Sequence, residues 1–324
     1  MTKTLVKRIA GTTGFLLLFF LLVQGYFVIA DNAVYSRAGL STQGQLEMQF
    51  ENAVVNRYAC LVLGNSRTYR GINPDCLSVS TYNFSHDNDS YNQIYWKLMY
   101  LEEEGVSFDT LILGTDYFMF SFLSDTRNHY YGKLLPAGYM TDFSDGGAIS
   151  DVNATPWHER MNEDFNTYIV RRFQQPLPYL FSKESSGEKQ HPYLKSNGQY
   201  VDPTKSAKEG DTTKRDGNRL EIQMEYFEKV LEYCKEKGIR VAVVMPPARD
   251  AELGSYDQNL LQQCDAYIKE TTKKYQVTFL NYAYEEEYKS YKLYTDITHL
   301  NPATADLWTQ RLDADLKTHK VIEE

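Results

Sequence analysis

Short runs of consecutive apolar residues recur along the main part of the chain. Five of them are bounded by polar residues: "ACLVLG" ending at Gly64, "SVSTYNF" ending near Phe84, "DTLILG" ending at Gly114, "IRVAVVM" ending at Met245 and "VTFLNY" ending near Tyr282. Continuous runs of this length are typical of strands that are covered on both faces, as in a parallel sheet. Because helical patterns alternate with these runs, the pattern predicts an α/β fold with a mostly parallel sheet.

Three helices are predicted in the last third of the chain. The first lies between Asn218 and Gly238, where apolar residues recur at spacings of three and four, namely Leu220, Met224, Phe227, Leu231 and Cys234. The second is predicted from about Asp257 to Lys274. The third begins at Asn301-Pro302, because asparagine is a good N-cap and proline suits the first helical position.

The alternation of strands and helices stops between residues 117 and 217. This interval is rich in Tyr, Asp, Asn, Ser and Gly and has no regular period. A loop of this length inside a compact domain is usually functional or partly disordered, so we interpret it as an insertion. We therefore divide the chain into an N-terminal segment (1–8), an apolar segment (9–30), a stalk (31–56) and a main domain (57–324) that contains the insertion.

The apolar segment predicts one N-terminal transmembrane helix. Its uncharged run from Ile9 to Ala30 has 22 residues, which at about 1.5 Å per residue span about 33 Å. Lys3, Lys7 and Arg8 precede the run and Asp31 follows it, which predicts a cytoplasmic N-terminus and an extracytoplasmic main domain, anchored in the cell membrane by a single pass. The small residues at its end also fit a signal cleavage site, and both alternatives stay open.

The overall charge excludes one class of partner. With 34 Lys and Arg against 43 Asp and Glu, the net charge is −9, which gives no electrostatic basis for nucleic-acid binding. The sequence has no zinc-like Cys/His spacing and no phosphate-binding glycine loop, so we expect no metal and no cofactor. Among the four cysteines, Cys234 and Cys264 are expected to be buried thiols, and a Cys60–Cys76 disulfide stays open.

Polar residues follow the predicted strands where each strand ends. Ligands bind at the carboxyl ends of the strands in open α/β sheets, so these residues are candidates for a site. They are Asn65, Ser66 and Arg67 after the first strand, Asn83, Ser85, His86 and Asn88 at the second, Thr115 and Asp116 after the third, and Arg249 and Asp250 after the fourth.

Asp296 and His299 lie three residues apart beyond the last strand. A serine hydroxyl becomes a good nucleophile when a base takes its proton and a third group orients that base. We therefore assign Ser66 as a candidate nucleophile, His299 as its base and Asp296 as the partner of the histidine. Two simpler interpretations remain: a turn serine, and an Asp–His cap of the following helix.

The motifs "GNSR", "YNFS…NDS", "LILGTD" and "DITHLN", taken in this order, resemble the SGNH (GDSL-like) hydrolase superfamily. More narrowly, the chain is similar to the membrane-anchored extracytoplasmic members that accompany membrane-bound O-acyltransferases, such as alginate O-acetylation proteins and the protein for D-alanylation of lipoteichoic acid. The resemblance covers about residues 59–116 and 239–308. It implies a three-layer α/β/α sandwich and the roles already given to Ser66, His299 and Asp296.

The chain departs from the family pattern at Asn65, where simple hydrolases usually have aspartate, near Thr304, where a glycine often follows "HLN", and at Asp116. Where the family often has an asparagine that donates to the oxyanion, this chain has Asp116. An ionised carboxylate repels an oxyanion, so Asp116 is expected to be protonated or to play another part, and in the second case Asn83, Ser85 or Asn88 is the candidate donor. Arg67 is either a ligand-binding residue or part of a structural salt bridge.

These features together predict an SGNH-type serine acyltransferase. It would act on a cell-envelope polysaccharide or glycan through an acyl-serine intermediate, with O-acetylation as the favoured reaction and a membrane-bound O-acyltransferase as the partner. The first alternative is an esterase or deacetylase with the same three residues. The second is a non-catalytic scaffold subunit of an envelope assembly.

Overall fold

The structure is a computed structural model that describes residues 3–37, 42–121, 131–132, 134–139, 177–180, 193–213 and 221–323. The chain divides into two compact units. The first comprises Met1–Gln45 and Asp151–His191, and the second comprises Leu46–Ser150 and Pro192–Glu324. The second unit carries the sheet and every predicted site residue.

The described helices and strands follow one another along the chain. The helices are α1 (Lys3–Arg37), α2 (Thr42–Val55), α3 (Ser66–Gly71), α4 (Tyr91–Glu103), α5 (Tyr117–Ser121), α6 (Leu177–Leu180), α7 (Glu221–Lys237), α8 (Asp250–Leu253), α9 (Gln258–Tyr275) and α10 (Pro302–Thr318). The strands are β1 (Cys60–Leu63), β2 (Thr81–Asn83), β3 (Thr110–Gly114), β4 (Arg240–Met245) and β5 (Thr278–Asn281).

Helix α1 contains the predicted apolar span. Residues Ala10–Ala30 form 21 residues of helix with a mean hydropathy of 2.1. By length and composition this helix can cross a membrane, since about 20 apolar residues suffice. The expectation of one N-terminal apolar helix is thus confirmed.

The five strands form one sheet in the order β2-β1-β3-β4-β5, and every neighbouring pair is parallel. Each strand lies within the apolar run that predicts it, so the α/β fold is confirmed. Side chains alternate between the two faces. Leu61 and Leu63 of β1 face one hydrophobic core, while Cys60 and Val62 face the other.

Helices cover both faces of the sheet. Helices α2, α4, α5, α7 and α9 supply apolar residues to the first core. Helix α10 covers the opposite face with Ala305, Trp308, Leu312 and Leu316. This arrangement gives three layers, helix–sheet–helix, as parallel strands buried on both faces require.

The three predicted helices are α7, α9 and α10. Asp257 caps α9, since its carboxylate accepts from the Leu260 amide at 2.9 Å, and Asn301 caps α10 by accepting from the Thr304 amide at 2.9 Å. Asn218 and Leu220, which belong to the first prediction, lie outside the described residues, as do residues 122–130, 140–176 and 181–192 of the predicted insertion.

The segment predicted as a stalk, 31–56, includes all of α2. Leu46, Phe50 and Ala53 of this helix are buried in the first core, where the Phe50 ring meets the Phe84 ring edge-on at 4.8 Å between centroids. The second half of the segment is therefore part of the globular unit. The four cysteines are free thiols, so the Cys60–Cys76 disulfide is not formed; burial raises the pKa of the Cys60 thiol to about 12.

Candidate active site

Ser66 is the first residue of α3, directly after the turn that ends β1. The side-chain oxygen of Asn65 accepts a hydrogen bond from the Arg67 amide at 3.0 Å and so caps this helix. Helix α3 can follow β1 this closely because residue 64 is glycine. A Cβ atom at Gly64 would lie 2.2 Å from Oγ1 of Thr68, closer than side-chain atoms approach one another.

Asp296 and His299 lie on a closed turn between β5 and α10. Tyr294 and Leu300 pair across its base as an antiparallel bridge, and the Thr295 amide donates to the His299 carbonyl at 2.8 Å. Inside the turn, Oδ1 of Asp296 accepts from the amides of Thr298 and His299, at 2.9 and 3.0 Å. The aspartate is thereby fixed by its own backbone neighbours.

The structure brings the three residues into one hydrogen-bonded row. Nε2 of His299 lies 2.7 Å from Oγ of Ser66, and Nδ1 lies 2.8 Å from Oδ2 of Asp296. With the imidazole proton on Nδ1 and donated to the carboxylate, Nε2 has a lone pair for the serine hydroxyl. The arrangement can transfer a proton from Ser66 to His299 while Asp296 holds the ring.

The environment of Asp296 favours its charged form. Burial by itself raises the pKa of this carboxyl group, but the hydrogen bond and charge of His299 and the amides of Thr298 and His299 oppose it. The net effect is a pKa well below the usual range. Asp296 is therefore a carboxylate at neutral pH and can stabilise an imidazolium beside it.

Arg67 is buried and paired within the fold. Its guanidinium lies 3.1 Å from Oε1 of Glu252 and donates to the carbonyl of Pro247 at 2.6 Å. A second carboxylate, that of Asp116, lies 4.0 Å away. Of the two interpretations of Arg67, the structure has the salt bridge, and this salt bridge forms one wall of the site.

Asp116 is an acceptor at both oxygens. Oδ2 accepts from the side-chain amide of Asn65 at 2.6 Å, and Oδ1 accepts from the Met119 amide at 2.8 Å, which caps α5. The carboxylate thus orients the residue that precedes Ser66. No hydrogen is available from it in this arrangement for an oxyanion.

The other donor candidates differ in their hydrogen bonds and in their position relative to the cavity beside Ser66. Asn83 gives its amide hydrogens to the carbonyls of Thr68 and Ile72, both at 2.9 Å, and Ser85 is fully buried with its hydroxyl directed to the Val62 carbonyl. Asn88 is half-buried and has a positive φ of 63°, and it lines the same cavity as Ser66. Of these three candidates, Asn88 is therefore the one that lines the cavity beside Ser66.

A cavity of about 110 Å³ adjoins the serine. Phe118, Glu252, Tyr256 and Thr298 line it together with site residues already described, which are Asn65, Ser66, Arg67, Asn88, Asp116 and His299. Phe118, Glu252, Tyr256 and Thr298 are not among the residues predicted for the site from the sequence. Glu252 lies seven residues after the end of β4. A search for polar residues after each strand that included the following helix would therefore have identified it.

The described residues contain no group of three or more His, Cys, Asp or Glu side chains placed to hold a metal ion.

Comparison with known families gives one match. The model of the DltD protein family matches residues 214–303, a segment that includes α7, β4, α9, β5 and the turn with Asp296 and His299. The resemblance to this family is confirmed over that segment. Ser66 lies outside the DltD-like segment, so its assignment depends on its distance from His299. No curated protein matches the chain.

Solved structures give distant similarities. A candidate platelet activating factor from Streptococcus pneumonia is 10% identical, with a TM-score of 0.41, over 94% of this chain and 98% of its own. A candidate acylhydrolase from Bacteroides fragilis is also 10% identical, with a TM-score of 0.42, over 87% of this chain and 100% of its own. The fold of the present chain is assigned from its own five parallel strands.

Proposed function

We propose that this chain is an extracytoplasmic SGNH-like acyltransferase that modifies a cell-envelope polysaccharide or glycan through an acyl-Ser66 intermediate. The observation that supports it most is the 2.7 Å contact between Ser66 and His299, with Asp296 on the far side of the imidazole. A nucleophile, a base and an orienting group in hydrogen-bonded order are the requirements of acyl transfer to serine.

In the first half-reaction, Oγ of Ser66 attacks the carbonyl carbon of an acyl donor while Nε2 of His299 takes the hydroxyl proton. The resulting imidazolium is stabilised by the Asp296 carboxylate. Collapse of the tetrahedral intermediate breaks the bond to the donor's leaving group, which receives the proton from His299. The products are acyl-Ser66 and the protonated leaving group.

Two groups would donate hydrogen bonds to the oxyanion of this intermediate. The backbone N–H of Ser66 belongs to the first turn of α3, where no carbonyl of the same helix accepts it. Asn88 lines the same cavity, and its side-chain amide would be the second donor. Asp116 contributes indirectly, because it fixes Asn65 and through it the turn that presents Ser66.

In the second half-reaction, a hydroxyl group of the glycan gives its proton to His299 and attacks the acyl carbon. Ser66 leaves and recovers the proton. O-acetylation is the favoured form of this transfer. If water takes the place of the glycan, the same residues perform ester hydrolysis, so the acceptor alone separates transferase from esterase.

Helix α1 would anchor the chain in the cell membrane by a single pass, with the N-terminus in the cytoplasm and the sheet outside. A membrane-bound O-acyltransferase would supply the acyl donor. The support for this partner is the DltD-like segment together with the apolar span Ala10–Ala30.

Intact-mass analysis tests the proposal. The detergent-solubilised chain is exposed to an activated acetyl ester, with Ser66→Ala and His299→Ala beside it. We expect one acetyl adduct on the parent, none at this site in Ser66→Ala and slow formation in His299→Ala. Glycans are then added. If they shorten the lifetime of the adduct and become acetylated, the chain is a transferase, and if the acetyl group is lost only to water, it is an esterase. No adduct on folded parent between about pH 6 and 9 favours the scaffold subunit.

A further inference from the structure

Residues 197–208, which we term the strap, come from the end of the predicted insertion and pack against the globular unit. The strap begins within a tight reversal of the chain. Leu194 and Tyr200 form an antiparallel bridge across it, and the Val201 amide donates to the Tyr193 carbonyl at 2.6 Å. The start of the strap is therefore held by hydrogen bonds across this reversal.

One end of the strap holds α3, the helix that begins with Ser66. The Tyr200 amide donates to the Tyr69 carbonyl at 3.1 Å, and the Gln199 side chain donates to the Arg70 carbonyl at 3.1 Å. The Arg70 guanidinium lies 4.9 Å from the centre of the Tyr200 ring, within the range of cation–π attraction. The last turn of a six-residue helix is thus fixed from outside.

The same end is also fixed to the edge strand of the sheet. The backbone N–H of Asn83 donates to the backbone carbonyl of Asn197 at 3.0 Å. Gly198 has a φ of 87°, and a Cβ atom there would lie 2.1 Å from the Asn83 carbonyl oxygen. Only glycine allows both this backbone conformation and this approach, so the position of the strap against β2 is strongly specified.

The other end of the strap holds the turn that carries Asp296 and His299. The Ala207 amide donates to the Tyr294 carbonyl at 3.1 Å, at the base of the turn. Arg249, which is 3% exposed, donates from Nη2 to the Lys208 carbonyl at 3.2 Å and from Nη1 to the Asp296 carbonyl at 3.4 Å. A buried guanidinium thus joins the strap to the backbone of Asp296.

We propose that the strap and Arg249 position Ser66 against His299, with Arg249 acting as a positioning residue for the acyl-transfer reaction. The inference rests on the proposed function. The nucleophile and the base belong to two separate elements, and the strap is hydrogen-bonded to both. A displacement of about 1 Å between reacting groups can lower a rate about a hundredfold, so a connection of this kind affects turnover directly.

Steady-state hydrolysis of p-nitrophenyl acetate by the full detergent-solubilised chain tests the inference. We expect Arg249→Ala to lower kcat by about tenfold to a hundredfold while KM changes less than about twofold, because the binding cavity is unaltered. Arg249→Lys should recover part of kcat, since its ammonium can still donate to one carbonyl. Gly198→Ala, which displaces the opposite end of the strap, should lower kcat in the same way.

Arg240→Ala is the matched control. Arg240 begins β4, whereas Arg249 follows the end of the same strand, and Arg240 makes an exposed ion pair with Glu323 at 2.8 Å. The kcat of the Arg240→Ala variant should equal that of the parent. Rates are expressed per folded molecule, with folding measured by circular dichroism, so that a purely structural effect leaves them unchanged.

Three results overturn the inference. The first is a parental kcat in both Arg249→Ala and Gly198→Ala. The second is a loss of activity that only follows the loss of folded protein, with no recovery in Arg249→Lys. The third is a Ser66→Ala variant that is as active as the parent, or a parent that shows no hydrolysis at all. Either of these results contradicts the proposed function and this inference together, whereas the first two results leave the function of Ser66 in place.

Discussion

Oγ of Ser66 and Nε2 of His299 lie 2.7 Å apart, although 233 residues separate them in the chain. The sheet order explains how they meet. The chain leaves β1 for β2 on one side, then returns to place β3 on the other, so the carboxyl end of β1 is a point where the strand order reverses. Open α/β sheets bind ligands at such a point. The turn after β5 reaches it from the opposite edge of the sheet.

Replacing Asp296 by asparagine should leave the fold intact and lower kcat. An amide cannot favour the Nδ1-protonated tautomer or stabilise an imidazolium as the carboxylate does, so we expect a loss of about a thousandfold to ten-thousandfold. The measurement is the rate of acetyl-adduct formation on Ser66. Asp257→Asn is the control, because asparagine is as good an N-cap as aspartate and α9 keeps its first turn. Equal rates in both variants would contradict the assigned role.

The sequence was sufficient to predict the strands, and to predict that Ser66, Asp296 and His299 lie together, because both features depend on chain order. Ser66 follows an apolar run, and Asp296 and His299 share one turn. A salt bridge was one of the two interpretations of Arg67, but its partner Glu252 could not be predicted, since the contact depends on how α8 packs beside α3. The same is true of Asp116, whose hydrogen bond to Asn65 crosses between two strand ends.

The burial of α2 and the contacts of Arg249 could not be predicted from the sequence for a different reason. Helix α2 buries Leu46, Phe50 and Ala53, but polar residues between them weaken its apolar period, so the segment resembled a stalk. The contacts of Arg249 go to backbone carbonyls, one of which belongs to Lys208 in an aperiodic stretch. Every residue has a backbone carbonyl, so the residues that accept such hydrogen bonds cannot be recognised from the sequence.

Gly64→Ala should destabilise the chain because its new Cβ would lie 2.2 Å from Oγ1 and 3.1 Å from Cβ of Thr68. Overpacking of this kind typically costs about 1–3 kcal/mol. Combining it with Thr68→Ala removes the closest atom and leaves the 3.1 Å contact. The free energy of unfolding of the double variant should therefore exceed the value expected from adding the two single effects. Simple additivity in urea titrations would show that this contact is not what excludes alanine.

Arg70 and Asp87 form a paired hydrogen bond, from Nη2 to Oδ1 and Oδ2 at 2.9 and 2.8 Å. Burial raises the pKa of Asp87, but the charges of Arg70 and His86 outweigh it and lower the pKa below 3.8. Because the folded-state pKa is the lower one, the stabilisation is present above pH 3.8 and is lost as the pH falls below it.

Asp87→Asn should therefore lower the free energy of unfolding by about 2 kcal/mol at pH 7, and the difference from the parent should shrink at acidic pH. Thermal unfolding at several pH values measures it. Asp109→Asn, at an exposed aspartate before β3, should show a small difference at every pH. A difference for Asp87→Asn that stays constant down to pH 3 would mean that the charge of Asp87 adds nothing to stability.

Lys97 and Asp89 form an ion pair in the first core, with 2.6 Å between Nζ and Oδ2 and no exposure of either side chain. Nζ also lies 4.5 Å from the centre of the Phe84 ring, and the Tyr131 hydroxyl donates to Oδ1 of Asp89 at 2.5 Å. Lys97→Met removes the cation and leaves a buried carboxylate without its countercharge. We expect a loss of about 3–5 kcal/mol in the free energy of unfolding, measured by urea titration.

The matched control is Lys237→Met, which breaks an ion pair with Glu102 of similar length, 2.5 Å, in which both side chains are 44% exposed. Water replaces the lost partner there, so the cost should be below about 1 kcal/mol. Adding Asp89→Asn to Lys97→Met should restore part of the loss, because the amide removes the uncompensated charge and can still accept from Tyr131. Equal effects of the two lysine variants would show that the interior around Asp89 is hydrated in solution. The loop that carries Asn88 into the cavity precedes Asp89 directly, so the stability of this pair also bears on the site.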